Sequence, residues 1–226
     1  MKPARPALLL VGHGSARVAG AGAPLEALAA RLRADGDGAP VAVRFLRQEP
    51  RLRPDDPLLG PAARVVPVLL GGGGLAAELT ALAGPARVTP PVGDHPGFAA
   101  LVERLAVTAA ATGGLDPAAA ALLLVAHGGR HPGADAPART LAARLAATGA
   151  FASVSALFLE QAPRAAGWRD HTGGRPAVAL PLLLASGGHA RHDGPGLFAG
   201  TGVTLAPPPT DPVALAAIVR DLAGDS

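Results

Sequence analysis

The sequence predicts an α/β fold built as two tandem, doubly wound parallel-sheet units related by internal duplication. Three observations predict it. Residues 7–24, "ALLLVGHGSARVAGAGAP", return nearly unchanged at 121–137 as "ALLLVAHGGRHPGADAP". The echo then persists along the chain at a spacing of 113–116 residues. Apolar runs with the character of strands also alternate with leucines at helical spacing, the signature of strand–helix–strand units.

Taken in order, Leu8–Val11, Val65–Leu70, Leu122–Val125 and Val178–Leu184 are continuous apolar runs. Such runs fit strands covered on both faces of a parallel sheet. Leu25, Leu28 and Leu32, and in the second half Leu141 and Leu145, keep helical spacing. Phe45-Leu46-Arg47-Gln48 answers Phe158-Leu159-Glu160-Gln161, and "VPVLLGGGGL" at 66–75 answers "LPLLLASGGH" at 180–189. Each unit reads as strand, helix, strand, helix, strand, short strand, helix. The units are predicted at 1–112 and 118–226, joined near "ATGGLDPAAA" (111–120).

Composition narrows the function. Apolar residues make up 49% of the 226, yet aromatics only 3%, and the net charge is +3. With no Lys/Arg run and few rings to stack on bases, nucleic-acid binding has little support. The absence of cysteine excludes disulfides, thiolate zinc sites and protein-held iron–sulfur clusters, and fits a cytoplasmic protein. "MKPARPALLLVGHG" reads as an opening strand rather than a secretory leader. No apolar run approaches the roughly 18 residues of a membrane span. A soluble, cytoplasmic chain without a membrane partner is therefore expected.

In parallel α/β sheets, ligands collect beyond the carboxyl ends of the strands. His127, Glu160 and His189 each follow an apolar run in the second half: "LLLVAH", "VSALFLE" and "LPLLLASGGH". Two imidazoles and a carboxylate suit Fe²⁺, Co²⁺, Ni²⁺ or Zn²⁺, and three protein ligands leave positions open for chemistry. Singly, each has a plainer reading: a strand-end histidine is often capped or solvated, and Glu160 would be a rim carboxylate. His131, His171 and His192 read as surface residues, and His95, before Pro96, as a structural one.

The first half is an internal control. His13 matches His127, but Arg47 stands where Glu160 does and Leu75 where His189 does. Glu49 lies two residues further on. That unit is expected to keep the fold and to have lost the site. The Gly71–Gly74 run has no lysine and matches Ala185–Gly188, so it reads as a hinge before a helix rather than a phosphate loop.

These residues resemble the class II chelatases, the sirohydrochlorin chelatases that insert Co²⁺ or Fe²⁺ into a tetrapyrrole. The resemblance spans nearly the whole chain. It rests on Ala126-His127-Gly128, on Phe158-Leu159-Glu160, and on "LPLLLASGGHARHDGP", where His189 and Asp193 form His-x-x-x-Asp after an apolar strand. It implies chelatase-like units, with His127 and His189 as paired metal-handling, proton-accepting residues and Glu160 as the nearby carboxylate. Gly128, Arg130, Asp193 and His13 would contact the macrocycle. A cleft between the units would admit it, with Arg17, Arg47, Arg130, Arg164 and Arg191 as candidate partners for its carboxylates. The second copy reads Gly129-Arg130 after His-Gly where the family has Ser then Arg, and the site falls in the second half rather than the first. The metal would be substrate, with no cofactor permanently bound. A non-catalytic metal or tetrapyrrole carrier using the same ligands is the alternative. Cobalt versus iron versus nickel, sirohaem versus cobalamin synthesis, and the oligomeric state stay open.

Overall fold

The two apolar runs that open the repeats become inner strands of separate four-stranded parallel sheets. The computed structural model describes residues 7–16, 20–36, 40–129, 132–184 and 193–224. The first repeat carries β1 (Leu8–Gly12), α1 (Ala23–Asp35), β2 (Val41–Phe45), β3 (Arg64–Pro67), α2 (Gly74–Ala83), β4 (Arg87–Val88) and α3 (Pro96–Thr112). The second carries β5 (Ala121–Ala126), α4 (Ala136–Thr148), β6 (Ser153–Phe158), β7 (Ala177–Pro181), α5 (Asp193–Phe198), β8 (Thr204–Leu205) and α6 (Pro212–Ala223). The strands are ordered β2-β1-β3-β4 and β6-β5-β7-β8, and the duplicated, doubly wound α/β architecture is the one predicted.

Burial explains why these segments choose strands. Every residue of β1 and of β5 is buried, as inner strands covered on both faces require. Leu9, Val11, Leu46, Val65 and Leu79 form the core against the first sheet; Leu123, Val125, Leu157, Trp168 and Phe198 form its counterpart in the second. Helix α1 begins with a proline in its first turn, where no backbone donor is lost, and buries Leu25, Leu28 and Leu32. Helix α4 repeats the pattern with Leu141 and Leu145 and ends at Gly149 in the left-handed region.

Two expectations about element order and length are corrected. The second helix of each repeat does not fall between the second and third strands; α2 and α5 follow the third. In the first repeat the earlier interval contains Pro50, Pro54, Pro57 and Pro61, which deny a helix its donors and clash with its preceding turn. The second repeat fills the interval with a 3-10 stretch, Ala165–His171, around the buried Trp168. The third strands also stop early, at Pro67 and Pro181 rather than Leu70 and Leu184. Proline has no N–H to continue the ladder, although Val68 still donates to Val11 and Leu182 to Val125, both at 2.8 Å.

The compact units divide the chain differently from the repeats. Met1–Phe98 groups with Thr210–Ser226, and Ala99–Leu183 with Gly188–Pro209. The C-terminal helix α6 therefore belongs to the unit of the first sheet, where it packs on α1 and β3. Asp211 caps its start by accepting from the Val213 N–H at 3.0 Å, and Leu215, Ala216, Ile218 and Val219 are buried. Polar contacts fasten it further: Arg220 pairs with Asp35, Arg64 donates to the Ala223 carbonyl, and His95 Nε2 meets Asp221 at 2.7 Å. His95 Nδ1 accepts from the Gly97 N–H at 3.0 Å, so the neutral ring donates from Nε2 to Asp221. That is the structural role expected of His95. No helix among the described residues is long and apolar enough to cross a membrane.

Candidate active site

The ladder between β5 and β6 carries past the last strand residues. Ala126 pairs with Phe158; beyond them Leu159 N–H donates to the Ala126 carbonyl and Glu160 N–H to the His127 carbonyl, each at 3.1 Å. Two adjacent strand ends thus deliver an imidazole and a carboxylate to one edge of the second sheet. His127 Nε2 and Glu160 Oε1 stand 3.7 Å apart, and both side chains are close to half exposed. That separation is too long for a hydrogen bond. A single ion about 2.1 Å from each atom would make an N–metal–O angle of about 120°, which an open tetrahedral or five-coordinate site accommodates. Among the described residues no third His, Cys, Asp or Glu completes a metal-holding group.

The remaining predicted residues fall as follows. His189 and Arg130 lie outside the described residues, as do Arg17, His131, Arg191 and His192. Asp193 is the first residue of α5. Arg164 donates to the Leu159 carbonyl at 3.2 Å, immediately before Glu160. His13 follows β1 in the first unit and is exposed. His171 closes the 3-10 stretch, half-buried.

Gly128 explains the His-Gly pairing. Its φ is +78°, a conformation L side chains rarely adopt, and a Cβ there would sit 2.9 Å from Gln161 Cγ. Gly14 repeats both features, with φ +70° and a Cβ that would meet Gln48 at 2.7 Å. The space is taken because the glutamine folds back over the loop. Gln161 Oε1 accepts from the Gly129 N–H at 2.7 Å, and Gln48 Oε1 from the Ser15 N–H at 3.1 Å. These glutamines were visible in the repeat alignment as an identical pair beside the Glu160/Arg47 difference.

In the first unit, Arg47 occupies the position that matches Glu160 and is already engaged. Its guanidinium grips both oxygens of Glu78, on α2, at 2.6 Å each. The hydrogen-bonded guanidinium holds the Glu78 carboxyl below its usual range, with smaller help from Arg51 and His13, and Glu78 in turn raises Arg47. A fixed organic cation thus stands beside His13 where the second unit presents a carboxylate. Arg47 is also a candidate partner for macrocycle carboxylates, and its bidentate bond to Glu78 is a competing claim on the same fork. Glu49 faces its own turn, accepting from the Arg51 N–H at 2.9 Å and from Arg53 at 3.2 Å.

Comparison with known proteins points one way. The CbiX family matches residues 121–202, the repeat that holds His127 and Glu160. A solved CbiX, described as the terminal enzyme of sirohaem biosynthesis in denitrifying bacteria, is 32% identical; the match covers 95% of this chain and 98% of that one, with a TM-score of 0.73. DR2241 from Deinococcus radiodurans, a multi-domain protein with structural similarity to chelatases, is 26% identical with a TM-score of 0.74 over 97% of this chain. The chain spans 55% of that longer protein. SirB from Bacillus subtilis, solved with Fe³⁺, shares the fold at 22% identity, a TM-score of 0.69, and coverage of 98% and 96%. No curated protein matches the sequence.

Proposed function

The chain belongs to the class II chelatase family, and on that premise we propose that it inserts Co²⁺ or Fe²⁺ into sirohydrochlorin from its second unit. One observation carries the proposal: His127 and Glu160 meet at 3.7 Å on a strand-end edge, whereas the matching first-unit position holds Arg47 bound to Glu78. A divalent cation finds an imidazole and a carboxylate in the first arrangement, whereas in the second the carboxylate's position is taken by a guanidinium already paired with Glu78, which offers no ligand.

The chemistry follows from proton balance. Metallating a free-base macrocycle replaces two pyrrole N–H bonds with metal–nitrogen bonds and releases two protons for each ion inserted. Neutral imidazole suits both tasks, holding an incoming ion through a ring nitrogen and accepting a proton as the ion departs. An imidazolium does neither, so insertion slows in acid. We assign those tasks to His127 and His189. Glu160 adds negative charge to the metal's first position and stabilises the protonated His127 after transfer. Gly128, Arg130 and Asp193 are assigned to the macrocycle. No nucleotide or resident cofactor enters the step.

The test mixes purified protein with sirohydrochlorin and Co²⁺ or Fe²⁺ and follows the absorbance change on metallation. Multiple turnovers above the uncatalysed rate support the chelatase. A single stoichiometric binding event without turnover contradicts it and describes a carrier.

A further inference from the structure

We infer that Gln161 is a positioning residue that sets the His127–Glu160 geometry, an inference that rests on the second unit being the metal-handling site. The loop after β5 and the loop after β6 are joined twice. Glu160 N–H donates to the His127 carbonyl at 3.1 Å, and Gly129 N–H donates to Gln161 Oε1 at 2.7 Å. These two bonds close a ring through residues 127–129 and 160–161, so neither His127 nor Glu160 can shift along its strand direction without breaking one.

The glutamine can serve this role only if its amide faces one way, with Oε1 toward Gly129. Asp135 favours that orientation. This residue occupies the N-cap position of α4, Arg139 donates to its carboxylate, and the Arg139 guanidinium, with lesser help from the Gln161 amide, holds that carboxyl below its usual range. A carboxylate only accepts, so it selects the NH₂ end of the amide and leaves Oε1 for the loop. Arg139 is itself held against the Phe158 ring, 5.5 Å from its centroid, and Phe158 is the last residue of β6. The anchor therefore returns to the strand that carries Glu160.

The first unit has the glutamine without the anchor. Gln48 Oε1 still accepts from Ser15, but α1 begins at Gly22 where α4 begins at Asp135. Gln48 Nε2 lies 3.0 Å from where a Cβ on Gly22 would stand, so the same amide end faces a residue with no side chain. The charged anchor is found in the unit whose strand ends present a histidine and a carboxylate, and is missing where Arg47 has replaced the carboxylate.

Full-length Gln161→Leu, Asp135→Ala and, as a matched control, Gln48→Leu test the inference. Each is titrated with Co²⁺ alone, melted, and assayed for KM toward Co²⁺ and toward sirohydrochlorin. Outer-shell partners of metal ligands typically change affinity about 10–100-fold. Gln161→Leu is expected to weaken Co²⁺ binding in that range and raise KM for Co²⁺ with little change in KM for the macrocycle. Asp135→Ala should move the same parameters in the same direction by less. Gln48→Leu loses the equivalent hydrogen bond and should lower the melting temperature comparably while leaving Co²⁺ affinity unchanged. Equal loss of Co²⁺ affinity in the Gln161 and Gln48 variants, or none in either, overturns the positioning role while wild-type insertion still stands. A wild-type chain that binds Co²⁺ nowhere overturns the functional reading and this inference with it.

Discussion

Gly128→Ala probes how far the His-Gly pair is a requirement of the backbone. An L-residue at φ +78° costs about 1–2 kcal/mol in that left-handed conformation. The new methyl would also stand 2.9 Å from Gln161 Cγ, a distance real Cβ contacts do not show. Gln161 must swing away, which sacrifices the 2.7 Å bond from Gly129 at about 0.5–1.5 kcal/mol net. The total is about 1.5–3.5 kcal/mol, enough to lower the melting temperature by several degrees. Gly14→Ala incurs the same backbone penalty and tighter contacts, 2.7 Å to Gln48 and 2.8 Å to Phe45, so it should destabilise at least as much. The assays are thermal melts and initial rates of metallation below each variant's transition. Gly128→Ala should lose both stability and rate; Gly14→Ala should lose stability with most of its rate retained. A Gly128→Ala protein with wild-type melting would refute the steric reasoning. Equal rate losses in both would refute the asymmetry between the units.

Other consequences are as definite. Because Glu78 is held below its usual carboxylate range by Arg47, the pair stabilises the fold above the unfolded carboxylate range and that contribution is lost as pH falls through the folded value. Arg47→Ala should therefore reduce melting temperature modestly at pH 7, by the equivalent of about 0.5–1 kcal/mol for a partly exposed pair, and converge with wild type in acid. Leu215→Ala removes a buried side chain from α6 and should cost about 2–5 kcal/mol, read as a lower denaturation midpoint. Residues 1–112 expressed alone lack the helix that covers α1 and β3. That fragment should aggregate or melt far below the full chain, and adding residues 210–226 in trans should restore solubility.

Much of the fold was legible because strand burial and helix periodicity are local signals. Leu8–Val11 and Leu122–Val125 announce inner strands by their unbroken apolarity, and Leu25, Leu28 and Leu32 announce a helix by their spacing. The destination of α6 was not legible. An amphipathic pattern states that Leu215, Ile218 and Val219 need cover but not which sheet supplies it, so a boundary drawn from the repeat separates the helix from the surface it covers. The misplaced second helix has a local cause that was present in the sequence, the four prolines between Pro50 and Pro61. At the site, His127 and Glu160 stood out because each directly follows an apolar run. The Arg47–Glu78 bond joins residues 31 positions apart and depends on how α2 lies beside β3, which no spacing encodes. Gln161 carried a faint signal as half of an identical pair in the repeat, but its bond to the Gly129 N–H depends on how two loops meet, which no spacing encodes.

The central claim is that metal chemistry is confined to the second unit. Initial rates of Co²⁺ insertion into sirohydrochlorin for His127→Ala, His189→Ala and His13→Ala, measured beside thermal melts, test that most directly. Losing a positioned proton acceptor typically costs about 10²–10⁴-fold, so either second-unit variant should nearly abolish insertion at unchanged stability, while His13→Ala retains most of the wild-type rate. A His13→Ala variant as inactive as His127→Ala, with all three melting like wild type, would contradict the account.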